Sequence, residues 1–500
     1  MTIRNNVIFI AVCCFCSSVW AQQSIDLVLQ GGRVIDPETG FDAIANVGIS
    51  EGKIIAVSKE PLTGSTVLDV SGKVVAPGFI DLHTHSPTEL GQYYQAFDGV
   101  TTALELEAGA FPVQRYGEQI SAQPMINFGA SVGYISIRAL VMQGAVQVDV
   151  ASSPSITGWR GIKTLIKTLY SDPRDTFTKQ ASADEIEEIR ALLNSGLDDG
   201  GLGIGLALDY ISEAVSDTEL DMIFDVAGSR QVPIFVHVRR GINGDPTGLR
   251  EVITQAKRAN ASVHVCHITH NAMKNIALFL AEIKQANADG VDITTEVLPY
   301  NAGSALISSA VFSRDWQTIF DISYSDVEWP ATGERFTQQS WNRRRKEEPD
   351  GQVVHHYVKE RWTQTAITDS SVIIVSDLMP MQSLTTNVAP HNGAFTKVIG
   401  QYVRDEKLLT LPQAIRRMTL MPAQRLEDVA PGFKRKGRIQ VGMDADITVF
   451  DAEKVASQAS YQNPYQEATG LDYVIVAGQP IIVNGKQVVD AFPGERLLAQ

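Results

Sequence analysis

Cysteine is nearly missing from this 500-residue chain. It has four, and three of them (Cys13, Cys14 and Cys16) crowd near the N-terminus. Only Cys266 follows, so no internal disulfide can form in the rest of the chain. Basic residues are in deficit as well: 42 Lys and Arg stand against 57 Asp and Glu, a formal net charge of −15. That balance argues against nucleic acid or an anionic membrane surface as partner. The basic run Arg343-Arg344-Arg345-Lys346 meets Glu347-Glu348 at once and reads as a solvated charged segment. What remains, 44% hydrophobic and 20% charged, is ordinary globular composition with a large core. Its length allows about two to four domains.

The N-terminus reads as a targeting signal over residues 1–21. Arg4 is its basic start, Val7 to Phe15 its apolar centre, and Val19-Trp20-Ala21 a cleavage pattern. The apolar stretch is too short and too poorly flanked to span a membrane. The expected location is outside the cytoplasm, periplasmic or secreted. A lipoprotein reading, with one of the three early cysteines acylated, lacks a good lipobox.

Residues 24–77 alternate apolar and polar positions with glycine punctuation, as in Leu27-Val28-Leu29, Gly31-Gly32 and Ile54-Ile55-Ala56-Val57. Residues 426–500 share that texture, with Ile447-Thr448-Val449-Phe450 and the hairpin signal Asn484-Gly485. Both termini are therefore expected to build one small β-sandwich domain. Between them, 78–425 alternates apolar strand runs with helix-length periodic segments. Runs such as Val232-Pro233-Ile234-Phe235-Val236 suit parallel strands buried on both faces. Repeated βα units of this kind predict an α/β fold, a (β/α)8 barrel whose site gathers at the strand C-terminal ends. Residues 305–365, with Trp316, Trp329, Trp341 and Trp362 among many charges, break the rhythm and read as an insertion, a lid over the site.

The chemistry begins at Pro77-Gly78-Phe79-Ile80-Asp81-Leu82-His83-Thr84-His85. Residues two apart on a strand face the same side, so His83 and His85 can chelate one divalent metal. Metal-compatible residues then recur at strand ends: Glu105 and Glu107, His237, His267 and Asp377. Any one of them alone is more often structural, but their joint placement predicts a metal site. His264 is expected to point away from His267, because an odd step separates them along the strand. His270, His355 and His356 show no partner in sequence and read as loop or core residues.

With His83-Thr84-His85, His237, His267 and Asp377 in place, the chain resembles the amidohydrolase superfamily, and within it the N-acyl-D-amino-acid deacylase group. The resemblance spans about 25–490. It includes Gly99-Val100-Thr101-Thr102, Ser216-Asp217-Thr218-Glu219-Leu220, Val297-Leu298-Pro299-Tyr300 and Gly442-Met443-Asp444-Ala445-Asp446. It implies a hydrolase of linear amide C–N bonds in a small-molecule substrate, dependent on one or two divalent ions, zinc foremost. It also implies that His83, His85 and Asp377 hold the more buried ion and that His237 and His267 hold the second. Asp377 would serve as general base and acid, and Tyr300 as a donor to the oxyanion.

Two departures from the group stand out. Its bridging cysteine is Ala108 here, and Cys266 cannot fill that place. Of the two nearby carboxylates, Glu107 is the first choice to bridge and Glu105 the second. The group's carboxylate-binding arginine is absent from Asn387-Val388-Ala389-Pro390-His391-Asn392-Gly393. Arg239, Arg138, His391 and Asn392 are then the candidate substrate contacts. Competing readings are a cyclic amidase, a prolidase-like dipeptidase and, outside catalysis, a binding barrel without metal. A nucleobase deaminase would need a glutamate three residues after a strand-end histidine, and His237 is followed by Val238-Arg239-Arg240.

Overall fold

A computed structural model describes residues 24–120, 123–144, 147–149, 175–384 and 392–500. The signal-peptide region lies outside the described residues. Eight parallel strands form the central sheet in strict chain order. They are Phe79–Asp81, Val100–Ala110, Asn127–Gly133, Ile204–Leu206, Ile234–Val236, Val263–Val265, Ile293–Val297 and Val372–Ile374. The first and eighth strands meet just beyond their ends. The Asp377 N–H donates to the His83 carbonyl at 2.8 Å, and that of His85 to the Leu378 carbonyl at 2.7 Å. The barrel therefore closes at the level of the histidine pair. Most strands are short and wholly buried, as expected where helices cover one face and packed side chains the other.

Helix starts follow local chemistry. Ser182 and Glu185 form a capping box before Ala183–Asp198. The Ser216 hydroxyl caps Asp217–Arg230 by accepting from the Glu219 N–H. Each cap satisfies backbone donors that the first turn leaves open.

Both termini supply the second sheet. Nine strands join there, five drawn from 27–77 and four from 447–487. Val74–Pro77 is the seam, parallel to Leu27–Asp36 and antiparallel to Ile447–Phe450. The expected sandwich is thus one continuous sheet. The last residues leave it: the Leu497 N–H donates to the Phe128 carbonyl at 2.7 Å, at the start of the third barrel strand.

The insertion folds as a four-stranded antiparallel sheet running from Gly303 to His355. Phe312, Trp316, Phe336 and Trp341 pack edge-on and tilted to make its small core. Trp362 does not belong to it. It lies on Glu360–Thr368, a helix preceding the eighth barrel strand. The charged residues around Trp362 hid an amphipathic helix whose buried face is Trp362, Thr363, Ala366 and Ile367. Among the described residues, no helix is long and apolar enough to cross a membrane.

Candidate metal centre

His83 and His85 leave the first barrel strand with ring planes at 87° and Nε2 atoms 3.2 Å apart. Both nitrogens face the same two carboxylate oxygens. Glu107 Oε2 lies 3.3 Å from His83 Nε2 and 3.5 Å from His85 Nε2. Asp377 Oδ1 lies 3.5 and 3.4 Å away from them. The far nitrogens are held by other carboxylates, His83 Nδ1 by Glu296 and His85 Nδ1 by Glu105 at 2.8 Å. A carboxylate behind each imidazole fixes its tautomer and orientation, the arrangement typical of metal-ligating histidines.

The second barrel strand carries Glu105 and Glu107 on one face, but their carboxylates part. Glu105 turns to His85 Nδ1 and accepts the Ala108 N–H. It stands behind a ligand candidate and not between two, so the alternative of a bridging Glu105 is corrected. Glu107 enters the centre. Its Oε1 lies 2.7 Å from His267 Nε2 and 3.1 Å from His237 Nδ1, while Oε2 faces the first pair. One carboxylate thus stands between both histidine pairs.

His237 follows the fifth strand and His267 the sixth. His267 sits at φ +32°, in the left-handed region. That turn breaks strand alternation and explains one correction. His264 does not point away from the site. It reaches the barrel interior beneath it, bonded to Glu296 Oε2 and to the Thr294 hydroxyl, each at 2.8 Å. Counting odd and even positions assumes an unbroken strand, and here the strand ends at Val265.

The charges fit a cation. Burial alone would lower the His83 and His85 pKa values, yet the surrounding carboxylates, Glu296 for His83 and Glu105 for His85 foremost, hold both well above the usual histidine range. Burial pushes Glu107 up, but His83 and His267 outweigh it and hold Glu107 well below the usual carboxylate range. His237, buried and beside His267, is pushed down to about 4 and is a neutral imidazole at pH 7. Donor atoms of His83, His85 and Asp377 lie mutually within 4.8 Å, as do those of His83, Glu107 and His267. Imidazole nitrogens and carboxylates at this spacing form a donor set that suits a divalent metal, whose charge would take the place of the protons on His83 and His85. Asp377 has 15% of its side chain exposed, more than any other member of the cluster.

Several expected site residues lie elsewhere. Arg138 is buried against Glu219 and donates to the carbonyls of Thr176 and Ala214, so its guanidinium ties segments of the chain together. Arg239 turns away from the centre to Glu251 at 2.6 Å and the Val215 carbonyl at 2.9 Å. Tyr300 gives its hydroxyl to the Asn392 carbonyl at 2.5 Å, and its ring faces Lys397, so it is not aimed at an oxyanion. The Asn392 amide is bonded to the carbonyls of Pro464 and Gln466 and is likewise structural. His391 lies outside the described residues.

Sequence reasoning missed Glu296, Asp209 and Arg240. Glu296 bonds His83, His264 and the His267 N–H; burial pushes its pKa up, but His83 and His264 outweigh that and hold it down at about 2. A carboxylate inside an otherwise apolar buried strand is uncommon, and that was the available signal. Asp209 lies just after the fourth strand, on the short helix Leu208–Ile211. It faces His237 Nε2 at 3.7 Å and takes both Arg240 and Arg314.

Relatives share this architecture. The chain is 26% identical to the N-acyl-D-glutamate deacylase of Alcaligenes xylosoxydans xylosoxydans, over 91% of this chain and 93% of that one. It is also 26% identical to the D-aminoacylase of the same organism, over 92% and 95%. The crystal structure of the N-acyl-D-glutamate deacylase from Bordetella bronchiseptica, complexed with zinc and a phosphonate mimic of the tetrahedral intermediate, superposes with a TM-score of 0.76. The identity is 22%, over 95% of this chain and 100% of that one. Residues 148–482, more than half of the chain, match the amidohydrolase family, and the protein belongs to that family.

Proposed function

We propose that this protein is a metal-dependent deacylase that hydrolyses the amide bond of N-acyl-D-amino acids. The observation that carries this reading is Glu107 standing between His83/His85 and His237/His267, with Asp377 beside the first pair. His83, His85, Asp377 and Glu107 would hold one divalent ion, and Glu107, His237 and His267 a second. Bound there, such ions lower the pKa of a water and polarise the amide carbonyl.

The chain's own residues supply the rest. Asp377, the most open member of the cluster, accepts a proton from the attacking water at its carboxylate. It returns that proton to the leaving nitrogen, so amide and water become a carboxylate and an amine. Glu105 and Glu296 hold His85 and His83 in the tautomer that presents Nε2. Arg314 and Phe320 of the insertion reach Asp209 and Arg240 beside His237, and this supports reading the insertion as a cover that limits water around the reacting bond. The names of the relatives support deacylation of D-configured substrates. The leader pattern supports an enzyme that works outside the cytoplasm.

The test is a panel of N-acetyl and N-formyl D- and L-amino acids, hydantoins and dipeptides, on metal-loaded and chelator-stripped protein. Free amine released from the D-configured linear amides, only with metal present, is expected. Turnover of cyclic amides or dipeptides alone, or of nothing, overturns the reading.

A further inference from the structure

Arg240 has a guanidinium with too little to bind. Only 5% of its side chain is exposed. Its Nε is buried without a hydrogen-bond partner among the described residues. Its remaining neighbours are already claimed. Asp209 lies 3.5 Å from Nη1, but both of its oxygens take Arg314 at 3.0 Å. Asn271 Oδ1 is at the limit, 3.5 Å from Nη2. The closest contact is His237 Nε2, 3.2 Å from Nη2.

That last contact cannot persist in a working site. His237 turns Nδ1 toward Glu107 at 3.1 Å. A neutral imidazole that gives Nδ1 to a cation carries its hydrogen on Nε2, and Nε2 then accepts nothing. Arg240 and the partly exposed Arg314 share one carboxylate, Asp209, and a buried guanidinium short of hydrogen-bond acceptors is costly. The Arg240 Cζ lies over the Phe320 ring at 4.9 Å and near Tyr357 at 5.8 Å. Such stacking covers a face of the guanidinium and leaves its donor edge for an in-plane, two-point contact.

We infer that Arg240, beside His237 and the Phe320 and Tyr357 rings, binds a carboxylate of the substrate, so that the enzyme selects N-acyl amino acids with a free carboxylate. This rests on the deacylase reading and adds to it the residue that sets the preference. It also accounts for a chain that lacks an arginine in 387–393 and turns Arg239 to Glu251.

The experiment compares the best-turned-over N-acetyl-D-amino acid with its carboxamide, in the wild type and in Arg240→Met, Arg240→Gln and Arg240→Lys. The wild type is expected to favour the carboxylate by a factor on the order of 10 to 100 in kcat/KM, the range of one charge-assisted contact. In R240M and R240Q that ratio falls toward one, chiefly through KM, and R240K restores part of it. Equilibrium binding of the non-hydrolysable N-methanesulfonyl analogue, titrated against its carboxamide, shows the same loss. A full carboxylate preference in any soluble R240M or R240Q protein overturns the inference. So does an equal loss on both substrates, which would make Arg240 a positioning residue for His237. A wild type that hydrolyses neither compound sinks the deacylase reading itself, a different result from a preference that survives substitution.

Discussion

Glu107 Oε1 lies 2.7 Å from Nε2 of His267, a residue 160 positions further along the chain. Its other oxygen faces His83 and His85. This one carboxylate is the geometric link between two imidazole pairs that come from three separate strand ends. Glu107→Gln keeps the shape and removes the charge. The metal-to-protein ratio, read by elemental mass spectrometry after dialysis, is expected to fall. Affinity should drop by more than the roughly 10- to 100-fold typical of losing an outer partner. Full metal content in the variant would remove Glu107 from the ligand set.

Glu296 acts one layer below. It holds His83 and His264 and receives the His267 N–H, so it orients one ligand candidate from each pair. Glu296→Gln should weaken metal binding by about 10- to 100-fold in competition with a chromophoric chelator. Unchanged affinity would reduce Glu296 to a packing role.

Arg138 and Glu219 form a buried ion pair away from the centre. Arg138→Met leaves Glu219 without its cation, and breaking a buried pair costs about 3–5 kcal/mol. Urea unfolding should show that loss, with KM for the preferred substrate close to that of the wild type. A raised KM at full stability would return Arg138 to the substrate site.

Lys436 links the two sheets. It is buried between Asp446 at 2.8 Å and Asp444 at 3.2 Å. Asp446 also takes the Asn127 side chain at 3.1 Å, and its carbonyl accepts the Gly78 N–H. Burial raises the Asp444 pKa, but Lys436, Lys53 and Arg435 outweigh it and hold it below the ordinary 3.8. A depressed carboxylate pKa contributes stability that is present above the unfolded value and lost as pH falls through the folded one. Lys436→Met should therefore destabilise most at pH 6–8, by about 3–5 kcal/mol. The gap to wild type should narrow as pH falls below about 4, where Asp444 takes up its proton. A gap independent of pH would show that Lys436 acts by packing alone.

The strand ends were legible because they rest on local rules. An apolar run that stops at a histidine or carboxylate predicts both a buried parallel strand and a group at the barrel mouth, and His83, His85, His237, His267 and Asp377 all come together there. The same rule, applied to Asp209 after the fourth strand, would have found it. Alternation failed where the backbone left the strand, as at His267, whose φ of +32° lets His264 and His267 serve one interior.

What the chain determined by itself was the order of βα units, the sheet built from both termini, and which residue types reach the barrel mouth, all consequences of hydrophobic period and turn chemistry over a few residues. Tertiary structure alone decided the rest. Glu105 and Glu107 share a strand face, and only the neighbouring strands send one behind His85 and the other between the histidine pairs. Arg239 and Arg240 are adjacent and alike in charge, and only Glu251 on one side and Asp209 on the other separate a surface pair from a cation beside His237. His83 and His85 bear four nitrogens whatever the fold. Which nitrogen faces the centre depends on Glu296 and Glu105, carboxylates 213 and 20 positions away, because a hydrogen bond from a distant strand sets the tautomer.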